Sequence, residues 1–386
     1  MAHCDLDTFF VAVERLHDPS LIDQPVLVGG HGRRGVVATA SYEARRFGCH
    51  SAQPMSQALR LCPQAIVVPS RFDRYGPVSR DFHRMLDETS PAVESVGIDE
   101  AYVDLTGLEG SADPAAARRA AEGIRTRVRD ELGIAVSICI AGSRTTAKVG
   151  SDAAKPDGLL DVPPGDDARF LAPRPVRELP LVGPNFGAAL AALSVHTVGQ
   201  AAALDRDWLE QRFGRAGIVL HDRAHGVDPT AVRPGGRPAR SISREVTFSN
   251  DVTEIDTLHH TLRRHAERVG ADLRRANRRA RTVTLKLRWS DFTTLTRSRT
   301  LDRPVQATSA LTAAGNELLA ELFRSQGQRP VRLLGLGAAN LVDDVTQLGF
   351  DELRPEEATT RRQEDLDRTL DSIRKRFGDR SVNRGP

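Results

Sequence analysis

Apolar and polar positions follow two rhythms along this chain, and the rhythm changes at identifiable stop signals. A short strand through Asp5-Leu6-Asp7 gives way to helical spacing over residues 9–16, where Phe10, Val13 and Leu16 share a face until Asp18-Pro19 ends the pattern. Residues 25–29 and 35–40 are apolar runs suited to buried strands, separated by the turn Gly29-Gly30-His31-Gly32. Beyond Arg71 the spacing predicts a helix over 75–88 and a strand pair within 93–105, bent around Gly97-Ile98-Asp99-Glu100. A helix over 114–131 and a strand over 134–141 follow. With the first strand these make a split β-α-β sheet expected to carry its helices on one face. Residues 166–227 read as short helices around Leu190, Leu193 and Val198, with a tight turn at Leu181-Val182-Gly183-Pro184-Asn185.

After a Pro/Gly/Arg-rich stretch with linker composition, a second β-α-β-β-α-β order appears: strand 241–248, helix 254–277, strands 281–289 and 293–301, helix 308–325, strand 331–341. The tail predicts one amphipathic helix. Thr360 with Gln363 would open it as a capping box, Leu366, Leu370, Ile373 and Phe377 lie on one face, and Gly378 ends it.

Composition narrows the class. At 386 residues the chain holds two to four units of about 100–200 residues each. No stretch approaches the ~20 apolar residues that cross a bilayer, and Met1-Ala2-His3-Cys4-Asp5 lacks signal-peptide regions, so no membrane and a cytoplasmic location are expected. Cys4, Cys49, Cys62 and Cys139 are widely spaced, which indicates neither a zinc site nor a disulfide framework. The early glycines fit neither the Walker nor the Rossmann pattern. Net charge is only +3, but residues 237–300 carry fifteen basic against seven acidic side chains, a local excess of +8 that points to a polyanion, nucleic acid first.

Two acidic clusters carry chemistry. Strand alternation places Asp5 and Asp7 on one face, and Asp99-Glu100 sits at a hairpin bend, where adjacent acids are costly unless a cation neutralises them. Mg²⁺, a hard oxygen-seeking ion, would do so. Two such ions about 3.5–4 Å apart would clamp the attacking and leaving oxygens of a phosphoryl displacement. Each dyad taken alone reads equally well as a strand-end surface pair.

The blocks His3–Glu14, Ala38–Gly48 and Gly97–Asp104, with Ala154-Lys155-Pro156-Asp157-Gly158 and Arg240-Ser241-Ile242-Ser243-Arg244-Glu245, resemble the signatures of Y-family DNA polymerases, closest to the DinB, or polymerase IV, branch. The resemblance runs from the first strand to about Leu341. It implies an α+β, multi-domain right-hand polymerase: a ferredoxin-like palm (1–8 and 72–163), small α/β fingers (9–71), a helical thumb (164–230), a linker (231–240), a β-α-β-β-α-β little finger (241–342) and a tail (343–386).

It also implies roles. Asp5 and Asp99 would bridge two Mg²⁺ ions, with Mn²⁺ as the alternative, helped by the Leu6 carbonyl, while Glu100 holds the ion at the primer 3′-hydroxyl. Asp7 would be structural. Thr39, Tyr42, Arg45 and Lys155 would bind the incoming dNTP, and Phe10 would exclude a ribose 2′-hydroxyl, whereas Phe9 reads as core. The thumb turn resembles a helix-hairpin-helix reduced to Leu181-Val182-Gly183, with Phe186 where a small hydroxyl residue is usual; Gly183 would meet duplex phosphate. Arg240, Arg244, Arg288, Arg297 and Arg299 would grip primer-template DNA without reading sequence. Gln347-Leu348-Gly349-Phe350 resembles a degenerate sliding-clamp motif. The expected enzyme is a monomeric, low-fidelity translesion polymerase without a proofreading exonuclease. The rivals are a non-catalytic Y-family-like DNA-binding protein, which would have lost these carboxylates, and a nucleotidyl cyclase, which would need neither thumb nor little finger.

Overall fold

The computed structural model describes the chain except residues 33, 108–114, 237, 345–354, 379–380 and 383–386 and the side chains of 355–361. Two compact units divide it, Met1–Arg237 and Pro238–Pro386. The clamp-like segment Gln347–Phe350 lies outside the described residues. No described helix is long and apolar enough to cross a membrane.

The first unit opens with β1 (Ala2–Leu6) and α1 (Phe9–His17), joined through Thr8 in the left-handed region at φ 42°. A small layer follows: β2 (Val26–Gly29), β3 (Val37–Ala40), α2 (Tyr42–Arg45), α3 (Met55–Leu61) and β4 (Ile66–Val68), with the three strands in the order β3-β2-β4. Next come α4 (Phe72–Thr89), β5 (Val93–Ser95), β6 (Glu100–Val103), α5 (Ala116–Leu132), β7 (Val136–Ile140), α6 (Arg144–Ala154) and β8 (Leu159–Asp161). The five long-range strands form one sheet in the order β5-β6-β1-β7-β8, with β1 at its centre. Ala2, Cys4 and Leu6 point into an apolar core shared with Phe82, Met85, Leu86, Ile124 and Val128 of α4 and α5.

The expectation that helices cover one face only is corrected here. The other face of β1, bearing His3 and Asp5, is overlaid by α6, whose Ser151 and Lys148 reach those two side chains. Gly150 permits that approach: a Cβ there would stand 2.2 Å from Cys139 Sγ on β7. The helical remainder comprises α7 (Asp167–Leu171), α8 (Pro184–Ala191), α9 (Val198–Ala202), α10 (Arg206–Phe213) and α11 (Arg215–Ala224), around Leu171, Leu190, Val198, Leu209 and Leu220.

The second unit is β9 (Ser241–Val252), α12 (Ile255–Arg275), β10 (Arg278–Trp289), β11 (Thr294–Val305), α13 (Thr308–Gln326), β12 (Val331–Asp343) and α14 (Pro355–Phe377). Its antiparallel sheet runs β11-β10-β12-β9, and α12 and α13 bury Leu285, Leu287, Trp289, Leu334 and Leu336 beneath them. The last helix starts five residues before Thr360, so the expected capping box is not its beginning. It is docked by ion pairs: Arg274 Nε lies 2.6 Å from Asp371 Oδ2, Arg279 Nη1 2.8 Å from Glu364 Oε1, and Arg374 Nη2 2.8 Å from Glu267 Oε2.

Candidate active site

Strand register assembles the acids. Asp5, buried on the central strand, stands directly opposite Glu100 on β6 and Ser137 on β7, so all three side chains share the face that α6 covers. Asp99 ends the preceding loop, and its carbonyl accepts a hydrogen bond from Leu6 N–H at 2.9 Å, which ties the hairpin bend to the end of β1. The Leu6 side chain itself is core.

Two lysines answer these carboxylates. Lys148 Nζ lies 3.0 Å from Asp5 Oδ2 and 2.5 Å from Glu100 Oε2, and Lys155 Nζ lies 2.8 Å from Asp5 Oδ1 and 3.1 Å from Asp152 Oδ1. Lys148 and His3 were not singled out from sequence. Sequence periodicity placed no helix over residues 144–154, so Lys148 had no assigned place; only the scarcity of lysine, four in the chain, set it apart.

The neighbouring acids are driven apart electrostatically. Burial, then the charges of Asp5 and Glu100, push Asp99 above the ordinary aspartate range. The His3 ring and the Lys148 ammonium hold Glu100 down at about 2, against the opposing effect of burial. Burial keeps His3 neutral by lowering its basicity. Asp7 is raised by burial, although it accepts from Ser137 Oγ at 2.9 Å and from Asp157 N–H at 2.5 Å. Those bonds fasten the loop after Lys155 to the end of β1.

The residues fit a divalent cation. Asp5, Asp99 and Glu100 supply hard oxygen donors, and the donor atoms of His3, Asp5 and Glu100 lie within 4.8 Å of one another. Gly97 leaves the cradle open, since a Cβ there would stand 3.1 Å from both Asp99 Oδ1 and Glu100 Cγ.

Around this cluster, Tyr42 and Arg45 share the turn of α2, with the guanidinium 5.2 Å from the phenol ring centroid. Burial and then the Asp7 carboxylate push the Tyr42 hydroxyl up. Arg45 is exposed and its Nε donates to Ala40 carbonyl at 3.0 Å. Thr39 is half-buried on β3. Phe9 is core, whereas Phe10 is half-buried and stacks on Tyr75 with centroids 4.3 Å apart and planes 14° apart. Tyr75 hydroxyl donates to the buried Glu14 at 2.8 Å, and Arg74 pairs with the same carboxylate.

Of the expected DNA contacts, Gly183 belongs to the first unit, and the five arginines of the second unit do not share one face. Gly183 caps α8 beside the exposed Leu181, and Phe186 turns inward to meet Phe213 edge-on at 5.1 Å. Opposed residues of antiparallel strands share a face. Arg244 opposes Leu336, Arg297 opposes Leu285 and Arg299 opposes Val283, so all three lie on the helix-covered side of the second sheet. Arg244 pairs with Asp272 of α12 and Arg299 with Glu317 and Glu321 of α13. Of the five arginines, Arg288 occupies the open face, beside Thr294, and Arg240 is exposed ahead of β9. The open face is otherwise built from Ser243, Gly337, Thr284 and Ser298 in one row and Glu245, Gly335, Lys286 and Thr296 in the next.

Residues 4–152 match the impB/mucB/samB family and residues 239–350 match that family's C-terminal domain. The chain is 41% identical over 384 residues to a DNA polymerase IV of Dehalococcoides mccartyi (strain CBDB1), covering 99% of this chain and 96% of that one. It is 38% identical to the DNA polymerase IV of Caulobacter vibrioides, covering 100% of this chain and 93% of the relative. Among solved structures, a chimeric Y-family DNA polymerase superposes with a TM-score of 0.80 at 23% identity, over 89% of this chain and 99% of the other. DinB from Sulfolobus solfataricus superposes at 0.61 with 24% identity, over 89% and 99%. These structural likenesses carry the fold.

Proposed function

Because the chain belongs to the Y family of DNA polymerases, in its DinB or polymerase IV branch, and is a DNA-directed DNA polymerase, we propose that it extends a primer by two-metal phosphoryl transfer at Asp5, Asp99 and Glu100. The observation that carries this reading is the register that sets Asp5 opposite Glu100 with Asp99 at the adjoining bend. Bound there, two Mg²⁺ ions, or Mn²⁺ in their place, supply acidification of the primer 3′-hydroxyl and neutralisation of the developing phosphate charge.

The chain's own groups do the rest. Asp5 and Asp99, helped by the Leu6 carbonyl, would hold the ions, and Glu100 would hold the one at the 3′-hydroxyl. Lys155, with Tyr42, Arg45 and Thr39, binds the triphosphate, and the guanidinium is suited to paired phosphate oxygens. Phe10, backed by the Tyr75 ring, excludes a 2′-hydroxyl from the sugar position. Asp7 acts as a brace between β1 and the Lys155 loop. The first unit then contains palm, fingers and thumb, and the second contains the little finger, whose open face with Arg288, together with Arg240 and the Gly183 turn, rides duplex phosphates. Low fidelity, damaged templates as substrates and the lack of an exonuclease belong to the same proposal. So does a sliding-clamp contact through Gln347–Phe350, to be checked by pull-down with a Gln347/Phe350 double alanine.

Primer extension with Mg²⁺ tests the reading. Wild type is expected to add dNTPs and Asp99→Ala to add none above about one part in a thousand. Extension surviving Asp99→Ala would sink the metal assignment, and an inactive wild type would favour the non-catalytic rival.

A further inference from the structure

His3 stands between α6 and the carboxylates, with no access to solvent. Its Nδ1 is 2.7 Å from Ser151 Oγ, and its Nε2, which has no hydrogen-bond partner among the described residues, is 3.5 Å from Glu100 Oε2. The ring cannot turn away: Tyr102 packs edge-on at 4.6 Å on the same sheet face. Ser151 Oγ also lies 2.8 Å from the Lys148 carbonyl, so its one proton must choose between that oxygen and Nδ1.

The choice decides what Glu100 meets. If Nδ1 carries the imidazole proton, Nε2 turns a bare lone pair toward a carboxylate oxygen in a buried site, two acceptors facing each other. If Ser151 donates to Nδ1 instead, Nε2–H points at Glu100. The Lys148 carbonyl loses nothing essential, because as a helix-interior group it has the i+4 N–H for a partner. In that arrangement Glu100 Oε2 is held from two sides, by Lys148 and by His3, and Oε1 stays free over the cradle left by Gly97.

We infer that His3 is the positioning residue for Glu100: the chain Ser151 Oγ–H to Nδ1 and Nε2–H to Glu100 Oε2 fixes the carboxylate so that Oε1 faces the cation. The inference rests on the metal assignment proposed above and adds a residue that acts through Glu100. Orienting partners of this kind change metal affinity by about 10–100-fold when removed.

The test exploits the geometry of amides. A glutamine side chain places its N–H₂ near imidazole Nε2, whereas an asparagine reaches only as far as Nδ1. His3→Asn is expected to weaken Mn²⁺ binding, read by electron paramagnetic resonance on the protein alone, by about tenfold or more, and to raise the Mg²⁺ concentration for half-maximal extension by a similar factor. His3→Gln should restore both to within about threefold. Ser151→Ala, which keeps the ring, should produce an intermediate loss, and ¹⁵N-imidazole spectra of the wild type should show the proton on Nε2. Equal affinities in all variants, equal loss in His3→Asn and His3→Gln, or a proton on Nδ1 would each overturn the inference. Because Mn²⁺ binding is measured without turnover, an inactive wild type would defeat the polymerase mechanism while leaving the His3 result readable.

Discussion

Gly150 sets how near α6 comes to the sheet that bears Asp5, and Gly150→Ala makes that closeness measurable. The added Cβ would lie 2.2 Å from Cys139 Sγ, 2.8 Å from Cys139 Cβ and 3.4 Å from Leu160 Cδ2. Nonbonded heavy atoms rest at about 3.5–4.0 Å, so the helix and β7 must separate by about 1.5 Å. Both are buried in packed layers, where overpacking costs about 1–3 kcal/mol. Alanine returns about 1 kcal/mol of helix propensity relative to glycine, so a cost at the upper end of that range, as a 2.2 Å approach demands, leaves a net loss of about 1–2 kcal/mol. Cys139→Ala removes the worst contact and leaves the one at 2.8 Å, so the double variant should be more stable than the sum of the single changes by about 1 kcal/mol.

Thiol labelling across a urea series reads this cleanly, because all four cysteines are buried and all lie in the first unit. Gly150→Ala should expose them at lower urea, and Cys139→Ala should partly reverse the shift. Function should follow the same order. Lys148 and Ser151 ride on α6, and a displacement of about 1 Å at a catalytic group costs on the order of 100-fold in rate. An unchanged midpoint in Gly150→Ala, or strict additivity in the cycle, would refute the packing argument.

Asp99→Asn should stabilise the metal-free protein while abolishing extension. Burial and the Asp5 and Glu100 charges raise Asp99 above its unfolded value, so its charged form weakens the fold at neutral pH and protonation relieves this as pH falls. The melting-temperature gap between variant and wild type in chelator should therefore narrow on going from pH 7 toward pH 5; a gap of the opposite sign would contradict the shift. Phe10→Ala should raise ribonucleotide incorporation on the order of 100-fold in a sugar competition assay, and unchanged discrimination would remove Phe10 from that role. Arg274→Ala breaks buried links to Asp367 and Asp371 worth about 3–5 kcal/mol when cut on one side, so a lysine-specific protease should cleave α14 at Lys375 much faster; an unchanged rate would refute the ionic docking. For duplex binding followed by anisotropy against salt, Arg288→Ala should flatten the log–log slope by about 1, and Arg244→Ala and Arg299→Ala should leave it unchanged; flattening by the latter two would reverse the assignment of faces.

Much of the fold is visible in the residues because local pattern and tertiary role agree. The bend at Gly97–Glu100, the core strand 134–141 and the order of elements in the second unit all rest on strong periodicity. What was not legible depends on packing. The position of α6 on the second face follows from one glycine against one cysteine, and neither carries a periodic signal. Lys148 becomes meaningful only once α6 is seen to lie over β1. The docking of helix α14 rests on residues distant in sequence, Arg274 on α12 and Arg279 on β10, which pair with Asp371 and Glu364. Strand β11 extends to Val305, past the expected end at 301, as an edge strand whose alternating exposure hides its length.

The +8 excess in residues 237–300 was the most persuasive charge signal, and the structure changes its meaning. Arg274, Arg278, Arg279 and Arg299 find their acids at Asp367 and Asp371, Asp343, Asp344 and Glu364, and Glu317 and Glu321, all beyond the counted segment. Folding therefore brings compensating acids to these four arginines from α13, from the end of β12 and from α14, while residues 237–386 together still carry a net +7. Strand parity already contained this correction. Leu295, Arg297, Arg299 and Leu301 share one parity, as do Ile242, Arg244, Val246 and Phe248, so these arginines belong to the side that buries leucine and phenylalanine. Arg288 and Lys286 have the parity opposite to Leu285, Leu287 and Trp289, which puts them on the other side. That side is built mostly of serine, threonine and glycine, with Leu333, Glu245, Lys286 and Arg288 among them. Such a surface would suit the proposed grip on a backbone without sequence readout, because hydroxyls and backbone groups give many weak contacts and no single strong anchor.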